Sequence, residues 1–82
     1  MEKFPFLKNN QVAVLRAESA SGIVCDEQFH RCITKNQKTF TVFQSIEDAG
    51  LYIDKIMATQ SDFEFVIYGP GQRFLKFISK YQ

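Results

Sequence analysis

Residues 63–68, Phe-Glu-Phe-Val-Ile-Tyr, have the composition of a strand and are apolar on both of its sides. Phe63, Phe65 and Ile67 fall on one face, Val66 and Tyr68 on the other. The same doubling occurs twice more: Phe40 and Val42 stand against Phe43, and Phe74 and Ile78 against Leu75 and Phe77. An antiparallel sheet with one wet face alternates apolar and polar more cleanly than this. Both faces of the sheet therefore need cover. Yet only residues 45–59 carry a helical period. A helix is about 10 Å wide, while four or five strands spaced roughly 4.8 Å apart span about 20 Å or more. One helix cannot cover even its own side of such a sheet. Cover for the second face is expected from the N-terminal segment, with Phe4, Phe6 and Leu7, and from a second copy of the chain in a two-fold contact.

The helix has the clearest local signals. Ser45 is a natural N-cap, and Asp48 three residues on completes a short-armed capping box. Glu47 and Asp48 also suit the positive end of the helix dipole. Ile46, Ala49, Gly50, Ile53, Ile56 and Met57 form one stripe at 100° per residue, with Tyr52 at its edge. Glu47, Asp48, Asp54 and Lys55 lie opposite, as does the isolated Leu51. The helix is predicted to stop near Thr59.

Around it the chain reads as strands. Residues 1–11 form an irregular arm with an apolar tip, and residues 12–82 a single α+β domain. Val12–Ala17 is a β-branched run, followed by the small polar turn Glu18–Gly22. Residues 23–34 read either as one strand or, with a tight turn at Asp26–Gln28, as a hairpin. Lys35–Lys38 is a turn and Thr39–Phe43 a strand. Gly69-Pro70-Gly71 fits a type II turn, because Pro fixes φ and Gly tolerates φ > 0. Gln72–Ser79 is the returning strand. The expected order is β-β(-β)-β-α-β-β: a mostly antiparallel sheet of four to six strands with one helix packed on a face. The second half, from the strand ending in Phe43 through Ser-Ile-Glu-Asp-Ala to Glu-Phe-Val-Ile-Tyr-Gly-Pro-Gly, resembles several small bacterial families of unknown function. They share a meander, one helix and a closing hairpin, and the resemblance implies that pattern alone.

Charge excludes some partners. Ten Lys and Arg against nine Asp and Glu leave a net +1, which is no strong electrostatic footprint for nucleic acid or an anionic membrane. No apolar run approaches the roughly 20 residues needed to cross a bilayer. The opening MEKFPFLKNNQ has charges and a Pro where a signal peptide needs an unbroken apolar stretch. A cytoplasmic location is expected, and two cysteines suit a reduced compartment.

Few residues could carry chemistry. Cys25, His30 and Cys32 are three soft ligands where a structural zinc site wants four in paired spacing. Asp26 could be a fourth, but on an unbroken strand Cys25 and Cys32 point to opposite faces. Cys32 with His30 as its base would be the enzyme reading, and no orienting group or oxyanion site is signalled. In Gly69-Pro70-Gly71, Pro70 lacks the N–H that a phosphate loop uses, and no helix follows. Glu47, Asp48 and Asp54 are a solvated helix face rather than an embedded acid–base pair. No enzyme activity, metal or cofactor is expected.

The function expected is binding to another protein or to the chain itself, through Phe43, Leu51, Val66, Tyr68, Leu75 and Phe77. The alternative is weak nucleic-acid binding on the sheet and the basic C-terminal strand, through Arg73, Lys76, Lys80 and Tyr81, where cations and aromatics interleave. Strict alternation weakens the alternative: it places Phe74, Lys76 and Ile78 on one face and Arg73, Leu75 and Phe77 on the other.

Overall fold

A computed structural model of the chain describes residues 2–81. Within them lie strands β1 (Val12–Glu18), β2 (Val24–Cys25) and β3 (Phe40–Phe43), helix α1 (Ile46–Met57), then β4 (Phe63–Gly69) and β5 (Arg73–Ile78). The strands form one antiparallel five-stranded sheet, so the fold is α+β with the helix packed on the sheet. β1 is the central strand. On one side it pairs with β4, from Ala13↔Tyr68 to Glu18↔Phe63. Its other side is shared: β3 pairs with Val12–Leu15 and β2 with Arg16–Ala17. β5 pairs with β4 and closes the sheet as its outer strand.

The helix forms as its caps demand. Ser45 is extended (φ −154°, ψ 162°), and its Oγ accepts the Asp48 N–H at 3.1 Å. Replacing Ser45 with Ala should cost about 1 kcal/mol; a denaturation midpoint that does not move, at unchanged m-value, would remove Ser45 from that role. Ala49 and Ile53 are fully buried on Val12, Val14, Phe65 and Ile67. Tyr52 fills the margin, its ring 5.0 Å from Phe43 and 6.4 Å from Phe65. Twelve helical residues reach only about 18 Å, and a loop covers the part of this face around Arg16 and Phe63. Phe29 packs on the helix-side core and meets Phe63 edge-on at 4.7 Å. Under it lies Arg16, fully buried, with its guanidinium 5.8 Å from the Phe29 ring centre. Arg16 donates to the Thr39 carbonyl (3.3 Å) and to Thr41 Oγ1, which in turn donates to Glu27 (2.8 Å).

The opposite face is covered in part by the N-terminal arm. Leu7 is buried with Ala13 and Phe40, and Phe4 packs edge-on against Phe40 (5.2 Å) and Tyr68 (5.8 Å). Glu2 anchors the arm by accepting the N–H groups of Thr39 (3.0 Å) and Phe40 (2.9 Å). Phe6, expected to share in this cover, is instead 89% exposed. Phe4 and Leu7 are the residues that pack, and Phe6 between them is turned outward.

Two other local readings differ from the structure. Residues 23–34 are closer to the hairpin than to one strand. The chain turns after Asp26, and its return touches β2 through the single bridge Cys25↔Arg31. Asp26 explains the turn: its Oδ1 accepts the N–H groups of Gln28 (2.9 Å) and His30 (3.0 Å), while Oδ2 accepts from Gln37 Nε2 (2.9 Å). Those bonds satisfy the backbone locally and compete with a ladder. The reversal after β4 is one residue longer than a two-residue turn. Gly71 takes φ +71°, as expected of Gly there, but Gln72 follows at +61°, so β5 begins at Arg73.

Candidate interaction surface

A β-bulge decides which side chains share a face. Between Ile67 and Tyr68 the register of β4 against β5 shifts, so Ile67 opposes Lys76 while Tyr68 opposes Phe74. Directly opposed residues of an antiparallel pair share a face, and a bulge inserts one extra residue into that alternation. Phe74 therefore joins Tyr68, and Phe77 joins its partner Val66, all on the face that carries the arm. Leu75 and Ile78 pack on the helix-side core instead. Strict alternation had divided Phe74 from Phe77 and put Ile78 with Phe74; the bulge overturns both.

The result is a strip of Val66, Tyr68, Phe74 and Phe77 on one face at the outer edge of the sheet. The arm reaches as far as Tyr68. Phe74, beyond it, is 60% exposed, and Val66 and Phe77 are half-buried. Three residues expected to belong to the surface lie elsewhere. Phe43 packs on the helix side against Tyr52, and Leu75 also faces the helix layer. Leu51 is 68% exposed on the helix, which covers the opposite face of the sheet. Phe74 was not among the expected contacts, and the register shift that exposes it leaves no mark in the sequence around it.

The four residues of the basic alternative, Arg73, Lys76, Lys80 and Tyr81, are all exposed. Arg73 opposes Gly69 and Lys76 opposes Ile67, so both stand on the helix-side face. Lys80 holds its ammonium 5.6 Å from the Tyr81 ring centre. On β5 the two cations and the two phenylalanines are thus sorted to opposite faces. Among the described residues the one ion pair is Arg31 with Glu18, at 2.9 Å, so none of the three C-terminal cations is neutralised within that set.

The Cys and His residues do not converge. Cys25 is buried and its thiol donates to the Ile23 carbonyl, whereas half-buried Cys32 donates to the Thr34 carbonyl, each at 3.7 Å. His30 is exposed. Among the described residues no three of His, Cys, Asp and Glu gather as metal ligands would. Burial, aided by the nearby carboxylates of Glu18 and Asp26, pushes the Cys25 thiol above its ordinary value. Thiol alkylation follows the thiolate and its access. Iodoacetamide at neutral pH should therefore modify Cys32 first and reach Cys25 only in denaturant; two equivalents incorporated at one rate in the native protein would contradict this. The hydrogen bond from Gln37 and the His30 and Gln28 N–H groups hold the Asp26 carboxyl below its ordinary value. Its contribution to the loop is present above the ordinary Asp range and is lost as pH falls through that depressed value.

No helix of the described residues is long and apolar enough to cross a membrane. Comparison with known proteins returns no matching family model, no matching curated protein and no matching solved structure.

Proposed function

We propose that this chain is a non-enzymatic protein-interaction domain that docks its partner on the strip of Val66, Tyr68, Phe74 and Phe77. The observation that carries this reading is Phe74. A large aromatic side chain stands 60% exposed, beside three other apolar residues, on a sheet face that the arm covers only in part. Contiguous apolar surface of this kind marks contact sites, whereas isolated exposed apolar residues need no explanation. Aromatic residues are also enriched among the side chains that dominate binding. A second copy of the chain is the partner that can be measured directly. The separation of cations from aromatics on β5 favours a protein over nucleic acid, since a base-stacking platform needs both within reach of one strand of ligand.

Sedimentation over a range of concentrations tests the reading. The wild-type chain should associate as concentration rises. Phe74→Asp should remain monomeric with its thermal midpoint unchanged, because Phe74 contributes little to the core. Association that survives Phe74→Asp would place the contact elsewhere. A wild-type chain that stays monomeric throughout would exclude the second copy as partner. For the nucleic-acid alternative, the corresponding result is binding of single-stranded oligonucleotide that falls steeply with salt and is lost on removing Lys76 and Lys80.

A further inference from the structure

β5 has an open edge. It pairs with β4 on one side, and no described strand pairs with the other. It is six residues long, against two for β2 and four for β3 at the far side of the sheet. Open edges of that length are templates for another strand; the bulge at Leu75 and the cations Arg73 and Lys76 guard this one against indiscriminate pairing, and acidic side chains remove the charge part of that barrier. Arg73 and Lys76 project from its helix-side face, and Phe74 and Phe77 from the other. No acidic residue occurs after Glu64, while Arg73, Lys76 and Lys80 all follow it. None of the three is paired with a described carboxylate.

From this edge we propose that β5 receives an extended acidic segment of another protein as an added strand, its carboxylates beside Arg73 and Lys76 and its alternate apolar residues beside Phe74 and Phe77. The proposal rests on the docking reading above and adds, beside the face-on contact of the strip, an edge contact with a separate partner of stated chemistry. Side chains of a strand alternate between faces, so a segment with acids at every second position and apolar residues between them matches both faces of β5 at once. Its backbone would satisfy the outward N–H and C=O groups of β5. A second copy of β5 fits this edge badly. Two such edges would bring two cations from each chain, Arg73 and Lys76, onto one seam with no carboxylate between them, and like charges across a strand pair destabilise it. Nucleic acid supplies the negative charge but no strand to satisfy the backbone edge.

The test uses the full chain and two labelled peptides of eight residues, one alternating glutamate and valine, the other lysine and valine. Fluorescence anisotropy should show the glutamate peptide binding, its affinity falling with added salt, and the lysine peptide not binding. Backbone amides of β5 should exchange more slowly in the complex. The double variant Arg73→Glu/Lys76→Glu should weaken binding by about tenfold or more, the order expected when two exposed attractions become repulsions. Lys35→Glu, on the distant loop, should leave it unchanged. No binding of the glutamate peptide, equal binding of both peptides, or binding without protection of β5 would each overturn strand addition. So would displacement of the peptide by oligothymidylate at lower concentration than by unlabelled peptide. The two readings fail separately. If Phe74→Asp abolishes wild-type association but no acidic peptide protects β5, the strip stands and the added strand falls. If Phe74→Asp changes neither self-association nor peptide binding, the strip itself falls.

Discussion

Phe65→Ala should cost about 3–5 kcal/mol, the range for removing a buried aromatic ring. Phe65 is fully buried at the middle of β4, opposite Arg16 of β1 and Ile78 of β5 and beneath Tyr52. Each of those neighbours is held by a strand or by the helix, so the surroundings have little freedom to close over the cavity. A chain of 82 residues at about 0.05–0.15 kcal/mol per residue has roughly 4–12 kcal/mol of stability in all. The substitution thus removes a large share of the total and can bring the protein close to its unfolding midpoint at room temperature. Urea unfolding should show the midpoint falling at constant m-value. Phe74→Ala should move it by no more than about 0.5 kcal/mol, as for surface positions generally. A loss at Phe65 as small as that at Phe74 would mean that the helix-side core rearranges freely.

Arg16 carries the second large effect. Its side chain is fully buried, and among the described residues no carboxylate lies within ion-pair distance of it. Charge compensation reaches it through Thr41, whose hydroxyl links the guanidinium to Glu27. Nε has no partner among the described residues. Taking a charge out of water is costly, and an incomplete set of partners does not fully offset it. Arg16→Ala should cost about 3–5 kcal/mol, because it leaves a large cavity beneath Phe29 and strips Thr39 and Thr41 of a donor. Arg16→Met retains most of the volume and needs no partners. Buried ion networks are often replaced by apolar residues without loss. The methionine variant should therefore stay within about 1 kcal/mol of the wild type. Equal losses in the two variants would show that the Arg16–Thr41–Glu27 chain, rather than the filling of space, holds the loop down.

Much of this molecule is legible one segment at a time. Alternation in Val12–Ala17 places Arg16 on the same face as Val12 and Val14, while Ala13 and Leu15 make the other face apolar too, so the segment gives the strand but not the side on which Arg16 is buried. Ser45 with Asp48, and the stripe through Ala49 and Ile53, define the helix from its first turn. The double-faced strands require a second covering layer, and Phe4 and Leu7 supply part of it. Such features follow from periods of 2 and 3.6 residues and from cap chemistry, and these act within a few residues of one another.

What depends on distant partners had no local sign. The shared edge of β1, with β2 and β3 end to end along it, is settled by which strands pair in the folded chain. Phe29 covers Arg16 because the loop beginning at Asp26 folds back over the sheet. The face of Phe74 turns on a single extra residue in the β4–β5 ladder. Side chains change face at every residue, so one bulge reverses the phase of everything beyond it. Local periods and cap chemistry suffice for the helix, for most of the strands and for the need to cover both faces. Which aromatic residues the core took in and which it left on the surface came from strand pairing, because register is a property of two strands together and belongs to neither one alone.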